Sequence, residues 1–490
     1  MTTIEERAAR PHPRASRGRR RLPAIVVALL LTVPVVIAAS VYEAIQLGRS
    51  PAGPASPPGG IVSATVSQGG YLGTHYANPF YAVVFTADNT PSPMLAKVGS
   101  FLNSTPITWF RFGGNGSGYD PTTGIDYAPP AGGGTYVGTP DLVWNLTWFK
   151  GWCQSRVPSC LWLGYLPAEE NNTTLAVHVA EWYHTQLGFA PQLWQLGNEP
   201  SGWTHFGLNV TGWSTSDDST VSPSAYAGMA RAYVAAIRGI YPLDRFVGIE
   251  AACACDQNEA SATASAVGAE VAAMAFHTYP STSASSTSLG GFYAALDSAT
   301  NLSSQTERFA SAVQSACATC PSLPLQIGEY QSGPLPTFSP FAATYAGAPF
   351  LAASVIQAIT ANVSTFTVFN SGALFNPTRG APTFEGLLYQ RLLANLTMGA
   401  DYAAPIPTPG VTGVYSLLVH NGSRSALLVV NTNLSYALDL SVPSTIFPTA
   451  MTGSEWSWGP GQAVPTANRS IVLPGAYTIP PQGILLVANY

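Results

Sequence analysis

"LWQLGNEP", residues Leu193–Pro200, is an apolar run that stops abruptly on Gly-Asn-Glu-Pro. Its first residues read as a strand covered on both faces, and its end delivers a carboxylate where the strand stops. Seven other short apolar runs punctuate the chain: Phe80–Ala87, Ile107–Gly114, Leu161–Leu166, Phe246–Ala251, Val271–Tyr279, Leu323–Glu329 and Ser364–Asn370. With Leu193–Gly197 as the fourth, they make eight. Segments of helical character lie between several of them, such as Pro223–Ile240 and Thr306–Cys317. Near-continuous apolar strands alternating with helices predict a parallel sheet covered on both faces. Eight such strands over some 330 residues predict a (β/α)8 TIM barrel, with a doubly wound open sheet as the structural alternative.

Beyond about residue 400 the pattern changes. "VYSLLVHNGSRSALLVVNTN", Val414–Asn433, reads as a hairpin closed at Asn421-Gly422, and further short strands run to "GILLVANY" at the C-terminus. An all-β sandwich domain is expected there, with Gly60–Gln68 as a candidate extra strand.

The N-terminal region has a different character. Seven arginines and two glutamates fall in the first 21 residues, which leaves 13 basic and 23 acidic residues elsewhere, a net charge of −10. That surface offers no basic patch and excludes nucleic acid as a partner class. "LPAIVVALLLTVPVVIAASVY", Leu22–Tyr42, carries no charge and is long enough to span a bilayer as one transmembrane helix. Its basic flank predicts a cytoplasmic tail, residues 1–21, and an exported remainder. A cleaved signal peptide is the rival reading, and it exports the same chain. The linker 43–62 is rich in Pro, Gly and Ser, the barrel is assigned to 63–397 and the sandwich to 398–490.

Export agrees with two other features. Twelve Asn-x-Ser/Thr sequons lie between Asn103 and Asn468. Six cysteines fall in close pairs, Cys153 and Cys160, Cys253 and Cys255, Cys317 and Cys320, which reads as disulfides with the pairing left open. A zinc site built from "CAC" and "CATC" is the competing idea, weakened by the absence of a neighbouring histidine. Charged residues make up only 9% of the chain, and carboxylates that are few lose little stability when protonated, so an acid-tolerant exterior is expected.

In a (β/α)8 barrel the working groups sit at the C-terminal ends of the strands. Glu199 follows the fourth run and Glu329 closes the seventh, so both are expected on one rim. Two such carboxyls are what glycoside hydrolysis needs, one to protonate the leaving oxygen and one to attack carbon or activate water. A glutamate there can also be an ordinary helix-start residue favoured by the dipole, with Pro200 in the first turn. Arg111, near the end of the second run, is a candidate to hold Glu329 ionised, or a structural ion pair. His277 and Tyr279 alternate on the sixth run and face the same way, towards sugar or nucleophile, although a lone inward histidine is also a common core residue. Gly113 and Gly114 either let backbone approach a ligand closely or form a turn.

The stretches "WFRFGGN" (Trp109–Asn115), "LGNEP" (Leu196–Pro200), "FHTY" (Phe276–Tyr279), "IGEY" (Ile327–Tyr330), "FEGLLYQRLL" (Phe384–Leu393) and "IPPQGILLV" (Ile479–Val487) occur in order over residues 63–490. Together they resemble the clan A retaining glycoside hydrolases, most of all the heparanase and β-glucuronidase family, glycoside hydrolase family 79. That resemblance implies Glu199 as acid/base, Glu329 as nucleophile and Asn198 as a ligand of the sugar 2-hydroxyl, with no metal or organic cofactor. It also implies that the charge of Glu329 keeps Glu199 protonated until the leaving group departs. The implied activity is that of an extracytoplasmic β-glycosidase acting on a glycan. Another clan A activity, an arabinofuranosidase or xylosidase, is the alternative, and a non-catalytic glycan-binding envelope protein is the second. Two departures bear on specificity. Thr86, with Asp88 two residues on, stands where the family carries an Asp, and "QSGPLPTFSP", Gln331–Pro340, lacks the glycine-rich stretch that receives a uronate.

Overall fold

The computed structural model describes residues 61–65, 81–85, 103, 109–112, 119–120, 125–126, 141–155, 160–203, 221–280, 288–298, 301–320, 323–332, 341, 344–368, 374–376, 381–395, 401–403, 411–421, 424–442, 451–460, 469–473 and 475–489. The predicted tail and membrane span lie outside them, as does the linker up to Gly60, while its last two residues belong to the strand Ile61–Thr65. Among the described residues no helix is long and apolar enough to cross a membrane.

All eight predicted runs are strands, and they close a parallel barrel in sequence order. The barrel strands are Tyr81–Phe85, Trp109–Phe112, Leu161–Leu166, Leu193–Leu196, Phe246–Ala251, Ala273–Thr278, Leu325–Tyr330 and Val363–Val368. Pairing of Phe366 with Tyr81 and of Val368 with Val83 closes the ring between the eighth strand and the first. A closed ring leaves no sheet edge, so the open doubly wound alternative falls. The third and fifth strands match the predicted bounds, and the ends of the others are trimmed or shifted by one or two residues. One shift matters: Glu329 lies inside its strand, which continues to Tyr330.

The covering helices start where polar side chains replace missing backbone partners. Asn172, Ser222, Ser288 and Asn301 each accept from the backbone N–H three residues on. Asn301 therefore starts its helix at Leu302 rather than at the expected Thr306. Pro223 occupies the first helical position after Ser222, where its missing N–H costs nothing.

The C-terminal strands form two sheets. One has six strands, in the spatial order Asp401–Ala403, Val414–Asn421, Arg424–Asn431, Gly483–Asn489, Met451–Trp458, Arg469–Leu473. The other has three, Ile61–Thr65, Ala437–Val442 and Gly475–Ile479, with the first two parallel. Alternation along the strands assigns the faces. Leu427, Val429, Leu485 and Val487 pack on Leu438, Leu440, Val442 and Ile479 of the small sheet, which makes a sandwich. Ala426, Leu428, Val430, Ile484 and Leu486 point the other way, into the same core cluster as the barrel's helices. The nearly all-buried helix Gly347–Thr360 belongs to that core, and Tyr345 reinforces the seam by donating to the carbonyls of Trp458 and Gln482. This shared core makes residues 57–490 one compact unit.

The cysteines are bonded as close neighbours, Cys153–Cys160, Cys253–Cys255 and Cys317–Cys320. Bonded sulfurs are not thiolate ligands, so the zinc alternative loses its donors.

Candidate active site

The opening stretch turns sharply after its strand. Gly197 sits at φ 74°, and a β-carbon there would lie 2.7 Å from that of Ala168 and 2.9 Å from the Trp203 ring. Only glycine meets both conditions. Glu199 follows at φ 50°, a left-handed conformation uncommon for a residue with a side chain and typical of functional positions. The turn is held by Glu199 N–H donating to the Glu250 carbonyl at 2.8 Å and by the Trp203 ring N–H donating to the Asn198 carbonyl. Pro200 then opens a short 3-10 turn, Pro200–Gly202. Ser201 donates to Asp256, which also accepts from the Ala252 N–H, so the loops after the fourth and fifth strands are tied together.

Arg111 lies at the centre of the rim and is fully buried. Its Nη1 donates to Glu329 Oε1 at 2.6 Å and to the Gly328 carbonyl at 3.3 Å. Nη2 donates to Asn198 Oδ1, and Nε donates to Gln195 Oε1 at 2.7 Å. Burial alone would disfavour its charge, but the carboxylates of Glu250 and Glu329 outweigh that cost and raise its pKa further. Tyr279 donates to the other oxygen of Glu329 at 2.5 Å. Burial, with the neighbouring charge of Glu329, holds the Tyr279 hydroxyl well above its usual range, so it stays a donor.

His277 bridges the carboxyls. Its Nδ1 lies 2.6 Å from Glu199 Oε1 and 3.4 Å from Glu329 Oε2, and its Nε2 lies 3.1 Å from Glu250 Oε2. Burial works against the imidazolium, but the charges of Glu329 and Glu199 and the bonds to Glu199 and Glu250 push its pKa up to about 10. One oxygen of Glu199, one ring nitrogen of His277 and one oxygen of Glu329 all lie within 4.8 Å of one another. That spacing would suit a chelated ion, and the contacts themselves form a hydrogen-bonded acid cluster.

The structure thus brings Glu199, Glu329, Asn198, Arg111, His277 and Tyr279 into one constellation. Gly113, Gly114, Thr86, Asp88 and most of Gln331–Pro340 lie outside the described residues. Sequence reasoning missed Gln195 and Glu250. Gln195 carried a signal, since an amide in a strand buried at every position needs a partner. Glu250 gave the same signal more strongly, as a carboxylate inside "FVGIEA", a run buried at every position.

No family model and no curated protein matches the sequence. Solved structures do match by shape. A family 51 α-L-arabinofuranosidase from Bifidobacterium longum superimposes with TM-score 0.64 at 14% identity, over 89% of this chain and all of that one. A family 44 xyloglucanase from Paenibacillus polymyxa gives 0.61 at 11% identity, over 87% of this chain and 99% of its own. A family 30 endoxylanase from Clostridium papyrosolvens gives 0.55 at 10% identity, over 88% and 99%. The chain has the fold of these solved glycoside hydrolases.

Proposed function

We propose that this chain is a retaining glycoside hydrolase, with Glu329 as nucleophile and Glu199 as acid/base. The observation that carries the reading is the pair itself: two glutamates at the ends of the fourth and seventh strands, with carboxyl oxygens within 4.8 Å. Retaining enzymes separate their carboxyls by about 5–5.5 Å, whereas inverting ones need about 6.5–9.5 Å to admit a water. A non-catalytic glycan-binding role has no use for two carboxyls facing each other at that distance.

The chemistry follows from the contacts. Arg111 and Tyr279 each engage one oxygen of Glu329, which aims it at the anomeric carbon. As Glu329 forms the glycosyl bond, Glu199 gives its proton to the leaving oxygen. Esterification removes the charge of Glu329, and Glu199, now a carboxylate, takes a proton from the water that attacks the same carbon and displaces Glu329 as a carboxylate. Arg111 fixes the Asn198 side chain through Oδ1, which turns its amide nitrogen into an oriented donor for a sugar hydroxyl.

The substrate is a β-glycoside within an exported glycan. The motif resemblance to the heparanase and β-glucuronidase family supports a β-glucuronidase-like specificity, against which stands the missing uronate-receiving stretch at Gln331–Pro340; the family 51 likeness favours an arabinofuranosidase as the second reading, with a xylosidase as a further activity of the same clan. The arginine-flanked apolar segment Leu22–Tyr42 supports anchoring in the cell membrane with the barrel outside, or secretion after cleavage. A panel of chromogenic glycosides of glucuronic acid, glucose, xylose and arabinofuranose tests the reading on wild type, Glu199→Ala and Glu329→Ala. Azide is expected to rescue Glu199→Ala on substrates with good leaving groups and to yield the azide of retained configuration. A wild type that cleaves none of them, or two variants with full activity, would sink it.

A further inference from the structure

We propose that Glu250 is a positioning residue of this site: it holds His277 as an imidazolium against Glu199, so that the buried cluster stays electrically neutral through both half-reactions. The inference rests on the glycosidase reading for its consequence in turnover, and on geometry alone for the state of His277.

Glu250 is fully buried, and its hydrogen bonding runs through Oε2, since Oε1 has no hydrogen-bond partner among the described residues. Oε2 faces two cationic groups, His277 Nε2 at 3.1 Å and Arg111 Nη2 at 3.8 Å. It reaches them because its strand is irregular. Val247 and Glu250 pair with Ala273 and Ala275, so three steps on one strand oppose two on the other. Val247 faces the barrel interior and Ile249 faces the helices. Regular alternation would turn residue 250 inward only if 248 were inward too, and the bulge supplies the missing step.

The seventh strand is fitted to this carboxylate. It also bulges, between Ile327 and Glu329, and the extra residue is Gly328. A β-carbon on Gly328 would lie 1.9 Å from Glu250 Oε2 and 3.1 Å from His277 Nε2. The glycine next to the nucleophile is there because the Glu250 carboxylate occupies the space of a side chain.

Charge gives the arrangement its purpose. Before glycosyl transfer Arg111 and His277 are the cations, Glu329 and Glu250 the anions, and Glu199 carries its proton, so in this state His277 is held by Glu250 and Glu329 rather than by a charge on Glu199, and the cluster balances. After transfer Glu329 is an ester and Glu199 is ionised, which balances again. The proton that left Glu199 for the leaving group returns from the attacking water, and Glu250 and His277 keep theirs unchanged. Without the charge of Glu250 the cluster is one unit too positive, which favours losing a proton from Glu199 or His277. The other titratable groups around it are Tyr279, Tyr226, Glu169 and Asp256, and the two tyrosines stay neutral donors because burial raises both.

The test compares wild type, Glu250→Gln and Glu250→Asp in the full chain. The ring nitrogens of His277 are followed by NMR on histidine-labelled protein, assigned with His277→Gln. In wild type they are expected to stay doubly protonated beyond about pH 8; a neutral ring at pH 7 overturns the proposal without any variant. In Glu250→Gln the ring is expected to titrate at least about one unit lower, with the alkaline limb of kcat/KM moving the same way. Glu250→Asp is expected to restore most of both shifts. A folded Glu250→Gln protein in which neither the ring titration nor the limb moves overturns it too. A wild type that cleaves nothing removes the glycosidase reading, and the ring titration still decides the state of His277.

Discussion

The two ends of the barrel interior are built from the same strands and share no chemistry. Towards the N-terminal end the inward positions are Trp109, Leu163, Leu193, Val247, Ala273 and Ala275, an apolar plug. One or two pleats further along the same strands come Arg111, Gln195, Glu250, His277 and, on the seventh, Glu329, all buried and all polar. The plug gains stability from burial in proportion to its area. The upper layer gives that gain up, because buried charges persist only where every partner is in place. One end holds the fold and the other uses the rigidity so obtained to fix carboxyls at reacting distance.

That contrast predicts opposite phenotypes for substitutions only a few ångströms apart. The largest effect is expected at the top: Glu329→Gln should lower kcat/KM on the order of 10⁴-fold, about 5.5 kcal/mol of barrier, while cooperative unfolding is retained. A Glu329→Gln enzyme within tenfold of wild type would break the contrast. Arg111→Met strands the surrounding carboxylates and is expected to cost about 3–5 kcal/mol in denaturant unfolding. At the bottom, Leu163→Ala should cost about 2–5 kcal/mol of stability and leave kcat and the pH profile where they were. A Leu163→Ala enzyme that folds normally but loses turnover would show that the layers are not separable in this way.

The smallest and most diagnostic effect is in pH. Glu385 and His277 are buried and have folded pKa values above their unfolded ones, so the stability each contributes is present at low pH and lost as pH rises. For Glu385, raised by burial although it accepts from Ser332, the window runs from 4.5 to about 8. For His277 it runs from 6.5 to about 10. Thermal midpoints should therefore fall between about pH 5 and pH 9, and Glu385→Gln should flatten the lower half of that decline. This sharpens the expectation of acid tolerance, which composition alone had suggested. A midpoint that rises over the same range would contradict it.

Much of this was legible in the chain. Period and punctuation located the eight strands, because strands covered on both faces leave uninterrupted apolar runs. Glu199, Arg111 and Glu329 were legible because each stands at or beside the end of such a run. Glu250 was not: it lies inside its run, and a β-bulge is a property of two strands in register, which a single-strand pattern does not display. Gly328 was opaque for the same reason, since its lack of a side chain answers a carboxylate 78 positions away. The helix start at Leu302 was not legible because one capping side chain, Asn301, sets it, and a cap leaves no mark on the apolar period.

The central claim is that Glu199 and Glu329 act by double displacement from opposite faces of the anomeric carbon. The measurement that tests it most directly is the anomeric configuration of the first-formed product, followed by ¹H NMR before mutarotation. Retention of configuration is the predicted result; an inverted first product would contradict the account.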